Sequence, residues 1–170
     1  KSFQLRVLSV ESGARDETLE ALHQKYGSNV YPSIGDAVKA SQAGDTICID
    51  PGHHWEASIK IQKPLRFLGQ TSDNSSSSCV IELNESVHIY GKARSVQFLH
   101  LTIRRPGKIS KPSPCLLITS KCKVNMFTCT LNNEGSSGGS VISAMGNSSL
   151  NMFHCFVCGG PSSGISAIAC

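Results

Sequence analysis

After Ser86 the chain carries a single acidic side chain, Glu134. That half therefore lacks the paired carboxylates of glycoside hydrolysis and the oxygen ligands of a calcium site. Aromatic residues are scarce, at 6% of 170 residues, which counts against nucleic-acid binding by interleaved base stacking. No run of 18 apolar residues occurs, so no transmembrane helix is expected. The opening residues KSFQLRVLSV have neither the apolar core nor the small-residue cleavage site of a signal peptide. Both ends are abrupt, with ISAIAC stopping inside a strand-like run, and the chain reads as a fragment of a longer protein.

The chain does contain an internal repeat. Val124–Leu131 (VNMFTCTL) and Leu150–Val157 (LNMFHCFV) share Asn125/Asn151, Met126/Met152, Phe127/Phe153 and Cys129/Cys155 at a shift of 26 residues. The same shift carries Ser136, Ser137 and Gly138 onto Ser162, Ser163 and Gly164. Upstream, Val96–Ile103 (VQFLHLTI) aligns with Val124–Leu131 at a shift of 28. A period in the twenties marks a solenoid, and a unit of apolar strand plus Gly/Ser/Asn turn leaves no room for a helix. The expected fold is all-β, a parallel β-helix in which each coil pairs only with its neighbours. A leucine-rich repeat is the alternative, but no regular L-x-x-L-x-L frame recurs.

Before the coils the pattern changes. Phe3–Val10 reads as a strand. Asp16–Tyr26 reads as a helix with acids in its first turn and Leu19, Leu22 and Tyr26 on one stripe, ended by Gly27. Tyr31–Gln42 reads as a second helix, opened by Pro32 or Ser33, with Ile34, Ala37, Val38 and Ser41 on one face and Gly44 beyond it. An open solenoid end exposes apolar interior and strand edges, so this second helix is expected to cap the first coil. Residues 1–45 form the N-terminal strand and capping helices, and residues 46–170 the coils. Since the end at Cys170 has no such helix, further coils are expected to follow it. Thr71–Ser78 and Arg104–Pro114 are expected to project as loops.

Charge is uneven along the chain. Residues 1–85 hold 8 Lys/Arg against 11 Asp/Glu, and residues 86–170 hold 8 Lys/Arg against Glu134 alone. Arg104, Arg105, Lys108, Lys111, Lys121 and Lys123, with Arg94, make a basic segment. It suits an acidic protein surface, nucleic acid or an anionic glycan, or serves as a solvated face. His53, His54 and Trp55 follow a Pro-Gly turn. Trp55 is a second contact candidate, or packs on the solenoid side; the histidines could bind a metal. Cys155 and Cys158 form a C-x-x-C beside His154, but strand alternation turns His154 and Cys155 to opposite faces, so no metal site is expected. Most of the eight cysteines lie in apolar runs, where a thiol acts as a small buried hydrophobe, so reduced thiols are expected rather than disulfides. Three N-glycosylation triplets, at Asn74, Asn84 and Asn147, matter only in a secreted protein.

Within SIGDAVKASQAGDTICIDPGHHWEASIKIQKPLRFLGQ, the residues Ile34, Ala37, Val38, Ala43–Ile47, Pro51, Gly52, Ile59, Ile61, Lys63–Leu65 and Gly69 resemble the opening of a right-handed parallel β-helix of the pectin-lyase-like superfamily. Within it, the chain most resembles the intracellular branch, the β-helix F-box proteins and the Shc-binding protein family. The resemblance runs from Ser33 to Cys170. It implies a non-catalytic platform in the cytoplasm or nucleus, without cofactor. One branch implies capture of a degron for a ubiquitin ligase, with a Skp-type adaptor and cullin where an F-box lies outside these residues. The other implies a signalling or cytokinesis scaffold. Secreted relatives lyse or hydrolyse polygalacturonate, and a carbohydrate-binding or polysaccharide-degrading protein is the competing class. Asp45 and Asp50 read as strand-entry and turn residues, and Asp73 lies in the Ser-rich loop. None of them completes an acid cluster beside Arg104 and Arg105. Charge reversal at Arg104, Arg105, Lys108 and Lys111 is expected to weaken an acidic partner at no stability cost.

Overall fold

Strand alternation and turn spacing together close this chain into stacked triangular coils. The computed structural model describes residues 3–8, 17–70, 78–107, 113–134, 140–159 and 166–167. A leading strand β1 (Gln4–Val7), helix α1 (Leu19–Tyr26), short strand β2 (Val30–Tyr31) and helix α2 (Ile34–Ala40) precede the coils. The first coil is β3 (Thr46–Ile49), β4 (Gly52–Glu56) and β5 (Ile59–Ile61), and the second β6 (Leu65–Gly69), β7 (Cys79–Leu83) and β8 (Val87–Ile89). The third comprises β9 (Ser95–Leu99), β10 (Thr102–Arg105) and β11 (Leu116–Ile118). The fourth comprises β12 (Lys123–Phe127), β13 (Thr130–Asn133) and β14 (Ile142–Ala144). The fifth is β15 (Ser149–Phe153), β16 (Phe156–Gly159) and β17 (Ser166–Ala167). Equivalent strands stack in parallel into three sheets: A (β15-β12-β9-β6-β3-β1-β2), B (β16-β13-β10-β7-β4) and C (β17-β14-β11-β8-β5). The expected parallel β-solenoid is present.

Register fills the interior column by column. In sheet A, Ile47, Phe67, Phe98, Met126 and Met152 face inward in one line. Phe67 and Phe98 stack with ring centroids 5.0 Å apart. In sheet C, Ile59, Val87, Leu116 and Ile142 form another line. All of these except the partly covered Met152 are buried in one continuous core. Burial of each such side chain contributes roughly 1.5–3 kcal/mol, and together these columns offset the entropy of ordering a chain with little helix.

The corner between sheets A and B is tight. His100, Thr128 and His154 occupy equivalent places there with φ of 55°, 52° and 51°. Left-handed backbone costs a non-glycine residue about 1–2 kcal/mol. Inter-coil bonds hold it: His100 N–H donates to the Phe127 carbonyl at 3.1 Å and Thr128 N–H to the Phe153 carbonyl at 2.9 Å. The second coil makes no such tight corner, because residues 70–78 intervene between β6 and β7. Gly69 lies beneath the third coil's corner, and a Cβ there would stand 2.1 Å from the His100 carbonyl oxygen and 2.8 Å from Leu101 Cδ2. Only glycine fits.

The N-terminal elements are shorter than the sequence pattern predicts. Thr18 caps α1, its hydroxyl accepting from Ala21 N–H at 3.3 Å. Of the predicted stripe only Leu22 is buried, with Leu8 and Val30 in a small separate cluster. Leu19 and Tyr26 are each 42% exposed. In place of a helix from Tyr31, residues Val30–Tyr31 pair with β1, and Ser33 caps α2 through Asp36 N–H at 3.0 Å. Pairing with β1 wins here because the strand edge satisfies backbone groups that a helix's first turn leaves open. Helix α2 buries Ile34, Ala37 and Val38 in the main core. Its Ile34 N–H donates to buried Glu56 Oε1 at 2.7 Å, and Lys63 Nζ donates to the Ser41 carbonyl at its other end.

Gly69→Ala is expected to cost roughly 3 kcal/mol, since backbone rather than a flexible side chain blocks the new methyl. Urea unfolding checks this; Gly91→Ala is the comparison, since no atom lies within 4 Å of the added Cβ and only its left-handed backbone, φ 68°, opposes the change, at about 1–2 kcal/mol.

Candidate functional site

The basic segment that looks continuous in sequence is divided among three places. Alternation along β10 turns Arg104 outward and Arg105 inward. Arg105 is 1% exposed. Its guanidinium donates to the carbonyls of Ser113 and, at 3.2 Å, Asn84, and burial lowers its pKa from the ordinary value. One coil on, Asn133 holds the equivalent position and donates to Ser113 O at 3.3 Å and Ser140 O at 3.1 Å. Arg105 therefore belongs to the inside of the sheet B–C corner, where loop carbonyls need donors. It is not a surface contact, and its reversal carries a stability cost.

Arg104 lies on the outer face of sheet B and is committed to Glu82. Arg104 Nη2 meets Glu82 Oε1 at 2.7 Å, and His53 Nδ1 lies 3.3 Å from the same oxygen. Glu82 is 2% exposed although it faces outward, and its Oε2 has no hydrogen-bond partner among the described residues. Trp55 pairs in register with Glu82 on the neighbouring strand and is 47% exposed. His54 turns inward, its Nε2 2.8 Å from the Asp50 carbonyl, so the two histidines of the Pro-Gly turn face apart. Lys108 and Lys111, together with Asp73 and Cys170, fall outside the described residues.

Lys121 and Lys123 sit at the corner between sheets C and A, across the solenoid from sheet B. Both are exposed, and so are Lys92 and Arg94 of the coil before. Backbone bonds fix this corner: Lys121 N–H donates to Gly146 O at 2.8 Å and Lys123 N–H to Arg94 O at 3.2 Å. Among the described residues none of these four cations is in an ion pair. Sequence reading found Lys121 and Lys123 but gave no reason to separate them from Arg104 and Arg105. The signal that separates them is register, which needs the loop lengths.

The corner borders the outer face of sheet A. Next to the cations runs a row of Arg66, Gln97, Asn125 and Asn151, and beside that a row of Leu68, Leu99, Phe127 and Phe153. Asn151 Nδ2 donates to Asn125 Oδ1 at 2.9 Å, and Phe127 stacks on Phe153 with centroids 5.0 Å apart and planes 8° off parallel. Phe153 is 49% exposed. Among the described residues, shallow clefts of about 430, 310 and 450 Å³ open on this face. Gln4, Tyr26 and Cys48 line the first, Arg66 and Gln97 the second, Leu68 and His100 the third.

Among the described residues, no group of three or more His, Cys, Asp or Glu side chains is arranged to hold a metal ion. No described helix is long and apolar enough to cross a membrane. No family model matches the chain, and no curated protein and no solved structure matches it.

Seven described cysteines are free thiols: Cys48, Cys79, Cys115, Cys122 and Cys129 are buried, Cys155 is half-buried and Cys158 is exposed. Burial pushes the Cys79 and Cys115 thiols up to about 12 and Cys129 up to about 11. In a Cys170→Ser background, Ellman's reagent at pH 8 should therefore find one fast thiol that Cys158→Ser removes, with Cys79, Cys115 and Cys129 reacting only on unfolding.

Removing Arg104 strands a buried carboxylate. Arg104→Ala should cost about 2–3 kcal/mol in urea unfolding, and most of it should return in the Arg104→Ala/Glu82→Gln double variant. Arg105→Leu should cost at least as much, because the Ser113 and Asn84 carbonyls lose their donor.

Proposed function

We propose that this chain is a non-catalytic protein-binding platform whose leading contact is the cationic corner between sheets C and A. The observation that carries the reading is the exposure of Lys92, Arg94, Lys121 and Lys123 on adjoining coils, with no described carboxylate opposite them. Four positive charges on adjoining coils raise the local concentration of an acidic partner and speed its encounter. Trp55 is the second contact candidate, for a partner that reaches sheet B.

The resemblance described above supports a finer reading. The chain is a right-handed β-helix of the pectin-lyase-like kind, in its intracellular branch, with α2 capping the first coil through Ile34, Ala37 and Val38. On that reading the acidic partner is a degron presented to an F-box type ubiquitin ligase with its Skp-type adaptor and cullin, or a component of a signalling or cytokinesis scaffold. Both roles require the same feature, a rigid face that binds without turnover. The site of action is the cytoplasm or nucleus.

The test is retention on surface-bound polyglutamate and on polygalacturonate. Wild-type protein should bind polyglutamate, and the Lys92→Glu/Arg94→Glu/Lys121→Glu/Lys123→Glu variant should lose about tenfold or more, with binding falling as salt rises. Its unfolding midpoint should move little, since exposed cations without partners contribute little to stability. Unchanged retention removes the corner from the reading. Release of unsaturated or reducing sugar from polygalacturonate overturns the non-catalytic assignment.

A further inference from the structure

The outer face of sheet A is ordered across its width. A cationic margin (Arg94, Lys123), a polar row (Arg66, Gln97, Asn125, Asn151) and an apolar row (Leu68, Leu99, Phe127, Phe153) lie side by side. Each row advances one residue per coil, about 4.8 Å along the solenoid axis. We propose that this face receives an acidic amphipathic helix of a partner protein, lying along the solenoid axis with its apolar stripe on the Leu68–Phe153 row and its carboxylates toward Arg94 and Lys123. The inference rests on the binding-platform reading and names the shape of the partner segment.

Three physical points select a helix. The first is periodicity. On a helix one face recurs about every 5.4 Å, so over the three steps from Leu68 to Phe153 it drifts roughly 2 Å from the coil pitch. On an extended peptide one face recurs about every 6.7 Å, and the same three steps accumulate roughly 6 Å, a full row position. The second is backbone satisfaction. Strands β6, β9 and β12 are paired on both sides, so among the described residues an extended chain could add only beyond β15, at the end of the face and not across its rows. A helix brings its hydrogen bonds with it. The third is width. Alternate residues of one strand lie about 6.7 Å apart, so a helix about 10 Å across rests on the apolar and polar rows and overhangs the cations.

The face is also chemically graded in the sense such a helix needs. Leu68, Leu99 and Phe127 are partly buried and Phe153 is 49% exposed, which leaves apolar surface for a partner to cover. The Asn125–Asn151 amide pair lies between this row and the cations, where a helix's Gln, Ser or Glu side chains would meet it.

The experiment uses a labelled 16-residue peptide with Leu at i, i+4, i+7 and i+11 and Glu along one flank, and a permuted isomer of identical composition with no apolar face. Fluorescence anisotropy should show the amphipathic peptide binding about tenfold or more tighter than its isomer, with helical circular dichroism gained on binding. Leu99→Lys should abolish that preference while leaving polyglutamate retention intact. Arg94→Glu/Lys123→Glu, which leaves the sheet's apolar row unaltered, should weaken both. Equal affinity for the two isomers overturns the helix inference and leaves the acidic-partner reading standing. Binding of neither peptide by a protein still retained on polyglutamate also overturns it. Loss of polyglutamate binding itself is a failure of the platform reading.

Discussion

One spacing governs this molecule, the separation of about 4.8 Å between hydrogen-bonded strands. Every coil must return to the same three lines after one circuit, whatever its length. Ile47 pairs with Phe67 after 20 residues, Phe67 with Phe98 after 31, and Phe98 with Met126 after 28. The differences are absorbed in loops, while the strands keep their register. Because the pitch is fixed, like side chains stack on like: Phe on Phe, Asn on Asn, Met on Met. The same regularity imposes costs. His100, Thr128 and His154 accept left-handed backbone so that the A–B corner can close, and Gly69 gives up its side chain where a longer coil passes beneath a shorter one.

Closing a corner also turns loop carbonyls inward, and the inside must then supply donors. Arg105 and Asn133 do this on successive coils at the B–C corner. Glu56, on the same inward line, instead offers an acceptor to the Ile34 N–H of α2. Polar residues at this corner are thus set by which backbone group the neighbouring segment presents. A buried guanidinium is costly, and its retention follows from the number of carbonyls that would otherwise go unpaired.

The repeat was legible because identity survived at the interior and exterior columns. VNMFTCTL over LNMFHCFV gives the register of β12 on β15 directly, with Met inside and Phe outside. The solenoid follows from that. Three things were hidden. Helix stripes at Leu19 and Tyr26 mimic core positions, but only Leu22 meets packed neighbours, Leu8 and Val30. The Arg104–Arg105 pair looks like one patch, yet a strand places its members on opposite faces, and nothing in composition says which one is inside. Glu82 seems to belong to the acidic half of the sequence. A shift of 22 residues in sheet B brings it onto Arg104. Such pairings depend on loop lengths, which vary from coil to coil and leave no trace in local periodicity.

The formal net charge of +4 understates how cationic the exposed surface is. Several carboxylates are spent within the fold. Asp45 accepts from Phe3 and Gln42 N–H at 2.8 and 2.7 Å, Asp50 takes both guanidinium contacts of Arg6, and Glu56 and Glu82 are buried. The cations at the C–A corner have no such employment, since their own backbone already completes the turn. A side chain that is exposed, unpaired and on a backbone pinned from both sides adds little to folding, yet it is pre-organised for an incoming charge. Asp45, Asp50, Glu56 and Glu82 of the first half build the solenoid, and Lys92, Arg94, Lys121 and Lys123 of the second half are left facing outward.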